Sequence, residues 1–254
     1  MRNRETNTTP ARHRVLGLPL DSDTLDGMTE KLLEMACGDS LSSVTYLNPD
    51  CVNLAFGNPG LSELYEQFDI VLADGIGVVW AARRKGIDIP GRAAITDLFP
   101  DLIHACADRG LKLFFLGAKP GVADAMAEKL GKKHPTLQIA GSHHGYFTSS
   151  EEKEVIAKIR GAEPDILIVA MGVPRQERWV IEHRREIPAK LCLCSGGVFD
   201  FYSESVPRAP KWMIRMHIEW LHRLIKDPIR LWRRYLIGNI VFIFRVLLNR
   251  EVKR

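Results

Sequence analysis

The sequence predicts an α/β fold in which a mostly parallel sheet carries helices on both faces, followed by a basic, amphipathic helical appendage. Short apolar, β-branched runs alternate with stretches of helical periodicity over most of the chain. The run Ile166–Met171 is apolar throughout, which is typical of a strand buried on both faces. The alternation ends after Phe201. The alternation predicts a Rossmann-like domain whose strands are Val44–Leu47, Ile70–Ala73, Leu111–Leu116, Gln138–Ala140, Ile166–Met171 and Leu191–Cys194.

The segments between these strands predict helices, and both ends of the chain differ from its middle. Residues 1–14 are polar, lack the apolar core of a signal peptide, and are expected to be disordered. Residues 15–203 form the predicted α/β domain. Residues 204–254 form the appendage, with two helices separated by Asp227-Pro228, because Asp is a good N-cap and Pro suits the first helical position. The predicted helices cover residues 25–36, 59–67, 76–85, 97–109, 121–133, 151–161 and 175–186, then about 211–226 and 228–248.

The positive charge of the chain is concentrated in the appendage. The net charge is +4, but residues from Arg208 onward carry twelve Lys and Arg against three acids. A weakly acidic body with a basic tail predicts an anionic partner, either nucleic acid or anionic lipid. Trp212, Trp220 and Trp232 lie among apolar neighbours, which favours an amphipathic helix at a lipid interface over a nucleic-acid-binding module. The longest apolar stretch, Tyr235–Leu248, is shorter than the roughly 20 residues of a membrane span, so we expect the chain to lie on a membrane.

The cysteines and the acidic pairs give weak signals. The five cysteines are odd in number and lie mostly in apolar runs, so a reducing, cytoplasmic setting fits better than a disulfide framework. The side chains of Cys192 and Cys194 would share one face of a strand, either as metal ligands or as buried apolar residues. Buried apolar residues fit better, because no second pair of residues has the spacing of metal ligands. Asp21-Ser22-Asp23 has the D-x-D pattern of some metal sites, but it directly precedes the helix at 25–36, so we expect it to cap that helix.

The residues that follow each strand form the candidate site, because ligands of an open parallel sheet bind outside the carboxyl ends of its strands. Gly117–Gly121 lies between a strand and a helix, where backbone N–H groups can bind phosphate, although a plain turn explains it equally well. The glycine patterns of dinucleotide-binding dehydrogenases and P-loop NTPases are absent. Asp74 ends a strand before two glycines, so its carboxylate can take a proton from an attacking hydroxyl; alternatively, it caps the following helix.

Ten motifs occur in an order that resembles a known family. The two most specific are G-x-P-x-Q-E-x-W at Gly172–Trp179 and R-A-P-x-W at Arg208–Trp212. The others are Asn48-Pro49-Asp50, Ala73–Gly77, Arg92 with Thr96-Asp97-Leu98, Phe115–Ala118, Gly197–Asp200, Glu219–Leu224, Asp227–Leu231 and Arg233-Arg234-Tyr235. Together they resemble the WecG/TagA/CpsF glycosyltransferases over nearly the whole chain, from about Val15 to Leu248.

The resemblance implies an inverting, metal-independent transferase without a cofactor. Its donor is a UDP-sugar, with N-acetylmannosamine, its uronic acid or another hexose transferred, and its acceptor is a polyprenyl-diphosphate-linked sugar. It would work in teichoic acid, exopolysaccharide or other cell-surface polysaccharide synthesis, peripherally on the inner face of the bacterial cell membrane, with no nucleic acid bound and homo-oligomerisation left open. The expected catalytic residues are Asp74 as base, Gln176 and Asn48. The expected substrate-binding residues are Thr45, Arg92, Gly117, Ala118, Gly172 and Glu177, with Arg223, Arg230 and Arg233 of the appendage as phosphate ligands.

Two positions depart from the family pattern. Members commonly carry Thr two residues before the Asn-Pro pair, where this sequence has Tyr46. Thr45 lies one step earlier, and a one-residue step in a strand turns a side chain to the opposite face. Ile95 replaces a usual glycine after Arg92. The donor and acceptor sugars therefore stay open.

Overall fold

An eight-stranded sheet forms the centre of the molecule. The computed structural model describes residues 10–203 and 208–252. The strands are β1 Ala11–Val15, β2 Leu18–Ser22, β3 Ser42–Leu47, β4 Ile70–Ala73, β5 Lys112–Gly117, β6 Gln138–His143, β7 Ile166–Ala170 and β8 Leu191–Cys194. They lie side by side in the order β1-β2-β4-β3-β8-β7-β5-β6, and only β1 and β2 pair antiparallel. The predicted α/β fold with a mostly parallel sheet is therefore confirmed.

Helices cover the sheet and continue into the appendage. Those of the α/β body are α1 Leu25–Ala36, α2 Pro49–Gly57, α3 Gly60–Glu66, α4 Ile76–Arg84, α5 Ile95–Arg109, α6 Val122–Lys133, α7 Glu152–Ala162, α8 Arg175–Glu182 and α9 Val198–Tyr202. Those of the appendage are α10 Lys211–Arg215, α11 Glu219–Lys226, α12 Pro228–Trp232 and α13 Gly238–Leu247. A π-helical turn, Arg233–Ile237, joins α12 to α13, so the helix predicted at 228–248 is continuous, whereas the one predicted at 211–226 is two helices. The short helices α2 and α9 were not predicted.

The N-terminal hairpin β1–β2 corrects the expected disorder of residues 1–14. Residues 11–14 form most of β1 and pair with β2, whereas residues 1–9 lie outside the described residues. β1 is an edge strand with its side chains largely towards solvent, so its sequence is polar like that of a disordered segment. Arg12 ties it to the body, because its Nη2 donates to the Phe68 carbonyl at 2.9 Å.

Asp21 is a structural residue of this sheet, and its expected capping role is wrong. Its side chain is buried, and Oδ2 accepts from the Val71 backbone N–H at 2.7 Å and lies 3.3 Å from Arg12 Nη2. The N-cap of α1 is Thr24, whose side chain accepts from the Gly27 N–H at 3.0 Å. Asp21 therefore joins β2 to β4. No cluster of three or more His, Cys, Asp or Glu side chains suited to a metal occurs within residues 10–203 and 208–252.

The appendage packs on the body and contributes to its core. Phe242, Val246 and Val252 belong to the same buried apolar cluster as the strands. Asn53 of α2 donates from Nδ2 to the Gly238 carbonyl at 2.7 Å and accepts from Arg245 at 2.6 Å. The outer surface of the appendage exposes several large apolar side chains, among them Ile237, Phe244 and Leu248. No described helix is long and apolar enough to cross a membrane.

Candidate active site

A cleft of about 1710 Å³ lies across the carboxyl ends of the parallel strands. The segments after β3, β4, β5, β7 and β8 form its floor, and α11, α12 and α13 of the appendage form the opposite wall. This position agrees with the rule for open parallel sheets. The cleft brings together seven of the expected site residues: Asn48, Asp74, Arg92, Ala118, Gly172, Arg223 and Arg230.

Asp74 follows β4 in the cleft and does not cap α4. The N-cap of that helix is Gly75, without a side-chain cap, so the alternative capping role of Asp74 is wrong. Burial raises the pKa of the Asp74 carboxyl, while the positive charges of Arg223 and Arg92 and a hydrogen bond from Asn48 act in the opposite direction. Its backbone N–H donates to the Leu47 carbonyl at 2.9 Å, which holds the end of β4 beside β3.

Asn48 caps a helix and also interacts with Asp74. Its Oδ1 accepts from the backbone N–H groups of Asp50 and Cys51, each at 3.0 Å, and so caps α2. The same side chain hydrogen-bonds the Asp74 carboxyl, and its amide N–H is the group that can donate to a carboxylate. Because both bonds use one side chain, the position of Asp74 is coupled to the start of α2.

Positive charge gathers at the end of the cleft near α9. Arg223 lies 4.5 Å above the ring of Phe201, and Arg230 is held by Asp227, with Nε at 2.6 Å from Oδ2. Asp200 lies among these groups: burial raises the pKa of its carboxyl, and Arg230, Arg223 and Lys119 act to lower it. Lys119, Arg223 and Arg230 therefore lie in one region of the cleft, above the turn after β5 and the glycines after β8. Such a group of cations is suited to binding a diphosphate.

Arg92 is engaged by acids of both the body and the appendage. Its guanidinium lies 2.7 Å from Asp97 and 2.9 Å from Glu219 of α11. Arg208 contacts the same two carboxylates, at 2.5 Å and 3.8 Å. Arg92, which the resemblance implies as a substrate-binding residue, is therefore part of a network of alternating positive and negative side chains that holds α11 beside Asp74.

Thr45, Gln176 and Glu177 lie beneath the cleft and do not line it. Gln176 Oε1 accepts from the backbone N–H groups of Gly172 and Gly196, each at 3.3 Å, and these glycines do line the cleft. Glu177 Oε1 accepts from Gln176 Nε2 at 2.8 Å and from Thr45 Oγ1 at 2.9 Å. Burial raises the pKa of Glu177 to about 7, against the effect of these hydrogen bonds. The network braces the turns after β7 and β8.

Tyr46 occupies the cleft floor where Thr45 does not. The two side chains point to opposite faces of β3, as the strand period predicts. A Cβ on Gly196, which has φ +58°, would lie 2.3 Å from the Tyr46 hydroxyl. The close approach of this ring therefore requires glycine at that position.

Two more expected ligands lie outside the cleft. Gly117 is buried with φ +150°, and a Cβ there would lie 2.4 Å from the Ala170 carbonyl, so this glycine allows close packing of β5 on β7. Arg233 points outward over the Trp232 ring, 5.2 Å from its centroid. Its neighbour Arg234 lines the cleft instead, paired with Asp50 at 3.1 Å.

Five residues that also line the cleft were not among the predicted site residues: Tyr46, Asp50, Lys119, Asp200 and Arg234. Arg234 follows Arg230 by four residues, which is the spacing of neighbours on one helix face, so this signal was present in the sequence. The position of Asp200 beside Arg223 and Arg230 depends on how α9 packs beneath the appendage.

The fold and the site are those expected of a group-transfer enzyme that binds an anionic substrate, because a buried carboxylate and a cluster of cations share one cleft at the edge of a parallel sheet. The chain belongs to the glycosyl transferase WecG/TagA/CpsF family, whose model matches residues 13–254. It is therefore a glycosyltransferase.

Three relatives share one name, N-acetylglucosaminyldiphosphoundecaprenol N-acetyl-beta-D-mannosaminyltransferase. The protein from Bacillus spizizenii is 36% identical over 189 residues, which are 74% of this chain and 72% of the relative. The Bacillus subtilis protein is 32% identical over 213 residues, 84% and 80% of the two chains. A Staphylococcus aureus protein is 28% identical over an alignment of 257 positions that covers 98% of both chains.

Proposed function

We propose that this glycosyltransferase moves N-acetylmannosamine, or a related hexose, from a UDP-sugar to a polyprenyl-diphosphate-linked sugar in cell-surface polysaccharide synthesis. The observation that carries the proposal is the shared cleft of Asp74 with Lys119, Arg223 and Arg230. The names of the relatives make N-acetylglucosaminyl-diphospho-undecaprenol the first acceptor to test.

The proposed reaction is a single displacement with inversion. The acceptor hydroxyl gives its proton to Asp74 while its oxygen bonds the anomeric carbon of the donor. The bond from that carbon to the UDP oxygen breaks, and UDP leaves with the electron pair. A raised pKa makes Asp74 a stronger base near neutral pH, and Asn48 orients it.

The cations near α9 are proposed to stabilise the leaving diphosphate. Negative charge develops on UDP as the bond breaks, and preorganised positive groups stabilise such charge most in a site shielded from water. Arg223 and Arg230 have the planar fork that fits phosphate oxygens, and Lys119 adds a third charge. With these three groups in place, the proposed mechanism needs no divalent cation.

Gln176 and Glu177 are proposed as positioning residues. Both side chains are fully buried, and they hold the two glycine turns through Gly172 and Gly196. A displaced turn would change the shape of the cleft floor without removing any group that touches the substrate.

The appendage is proposed to dock on the inner face of the cell membrane. Ile237, Val241, Phe244 and Leu248 are spaced by four, three and four residues, so they form an exposed apolar stripe along α13. Exposed cations, among them Arg233 and Arg250, add attraction to anionic lipid, at about 1 kcal/mol for each well-placed charge.

The test is a UDP-release screen of UDP-sugars with an N-acetylglucosaminyl diphosphate ester of a prenyl alcohol. We expect one N-acetylhexosamine donor to give acceptor-dependent release. Asp74→Asn should lower turnover at least about 100-fold and keep UDP binding. Wild-type turnover in that variant contradicts the base assignment. Salt-sensitive binding of nucleic acid with no transfer to any acceptor contradicts the function.

A further inference from the structure

We infer that the isoprenoid chain of the acceptor lipid binds in an apolar groove between α4 and α13, next to the base. This inference rests on the proposed function and adds the binding site of the lipid chain. The groove consists of Ile76 and Trp80 on one side and of Leu236, Ile240 and Ile243 on the other.

The α4 side of the groove starts at the base itself. Asp74 is followed by Gly75, the N-cap, and Ile76 is the first residue of the helix. Trp80 comes four residues later and so lies on the same helix face as Ile76. Their exposed fractions are 40% and 38%, although both are large apolar residues. An unpaired apolar face therefore leads directly away from the catalytic carboxylate.

The α13 side supplies a matching stripe. Leu236, Ile240 and Ile243 are spaced by four and three residues, line the cleft and are exposed. They are distinct from the outward stripe that begins at Ile237, so the helical run presents apolar side chains to the cleft and to its outer surface. A helix that is apolar on several faces is typical of burial or of contact with lipid.

The two sides are packed tightly at the base of the groove. A Cβ on Gly77 of α4 would lie 2.8 Å from Pro49 Cγ and 3.4 Å from Phe242 Cε1. Phe242 is buried there and closes the junction. Since α4 and α13 contact each other through this glycine, the exposed apolar side chains above it are held beside each other as a groove.

The distribution of charge identifies the occupant. Lys119, Arg223 and Arg230 surround Asp200 near α9, whereas α4 and α13 give the same cleft apolar side chains. With the diphosphate of the donor at these cations, an acceptor whose sugar lies at Asp74 extends its hydrocarbon along the apolar side of the same cleft. The neighbouring outward stripe of α13 lets the chain pass into a bilayer without crossing water. Arg83 and Arg84 flank the outer end of α4, where lipid headgroups would lie.

The experiment compares two soluble acceptors, the N-acetylglucosaminyl diphosphate esters of a three-isoprene alcohol and of methanol, each below its micelle concentration. The readout is the ratio of their kcat/KM values. We expect wild type to prefer the isoprenoid ester, and Ile240→Ser and Trp80→Ser each to lower the ratio about tenfold, or about 1.4 kcal/mol.

Ile237→Ser is the matched control, because it changes the same residue type at similar exposure, 49% against 56%, on the outward stripe. It should keep the wild-type ratio while lowering flotation with anionic phosphatidylglycerol vesicles. A wild-type ratio near one overturns the groove but leaves the function standing, whereas no turnover with either ester and any UDP-sugar contradicts the function itself. An equal fall of the ratio in Ile240→Ser and in the control Ile237→Ser overturns the groove. Conversion of a wild-type dimer to a monomer by Ile240→Ser in sedimentation also overturns it, because the groove would then be a subunit interface.

Discussion

Glu177 provides a test of the network beneath the cleft, because its carboxyl is fully buried and one of its oxygens, Oε2, has no hydrogen-bond partner. Burial raises its pKa from 4.5 to about 7. The folded state therefore holds this proton more tightly than the unfolded state. The stability contribution of the neutral acid is fully present below pH 4.5 and is lost as the pH rises through about 7. At about 1.4 kcal/mol for each pKa unit, the loss is about 3 kcal/mol.

Glu177→Gln removes this titration and keeps an oxygen that can accept from Thr45 and Gln176. We expect the free energy of unfolding of the variant, minus that of wild type, to grow by about 3 kcal/mol between about pH 4.5 and pH 8. Urea denaturation at several pH values measures it, and titrations common to both proteins cancel. Glu182→Gln, an exposed change on the same helix, should stay within about 0.5 kcal/mol of wild type throughout. Parallel profiles for wild type and Glu177→Gln would refute a neutral buried acid.

Three further predictions concern the cations and the appendage. Arg230→Glu should lower kcat/KM for the UDP-sugar at least about tenfold, because the reversed charge repels the diphosphate. Arg215→Glu changes an exposed arginine outside the cleft and should have little effect, so equal losses of kcat/KM in the two variants would contradict the diphosphate site. Turnover should survive EDTA, since Lys119, Arg223 and Arg230 supply the charge, and a loss that Mg²⁺ or Mn²⁺ restores would show that a metal is required. Deleting residues 204–254 removes Phe242, Val246 and Val252 from the core, and each buried side chain contributes about 1.5–3 kcal/mol, so the melting temperature should fall. Fusing the truncated body to an unrelated membrane anchor should leave UDP release low; wild-type rates in that fusion protein would show that the appendage only docks the enzyme on the membrane.

The sequence was sufficient for six of the eight strands of the sheet. All six predicted strands occur with bounds shifted by three residues or fewer, and Ile70–Ala73 and Leu191–Cys194 match at both ends. The reason is that a parallel strand covered on both faces must be apolar along its whole length, which is visible locally. Asp74 could also be predicted, because a polar residue directly after a buried strand lies at the ligand-binding edge wherever the strand is placed.

The hairpin β1–β2 and the role of Asp21 required the three-dimensional structure. An edge strand with one solvent-facing side reads like a polar tail, and only its pairing with β2 distinguishes the two. Asp21 looked like a helix cap because of its position in the chain. Its actual partner, the Val71 N–H, is 50 residues away and reaches it only because β2 lies beside β4.

Which side chains face the cleft was likewise decided by packing. Thr45 lies beneath the cleft floor, whereas Tyr46, one residue later, lines it. In the same way, Arg233 points away from the cleft, whereas Arg234 lines it. The motifs identify such residues as a group, but their direction depends on where a strand or helix meets its neighbours. The predicted boundary between residues 203 and 204 follows the last apolar strand, which ends at Cys194. The core contacts of Phe242, Val246 and Val252 tie the body and the appendage together: Phe242 packs beside Gly77 of α4, and the Val252 backbone N–H donates to the Leu16 carbonyl at 2.9 Å.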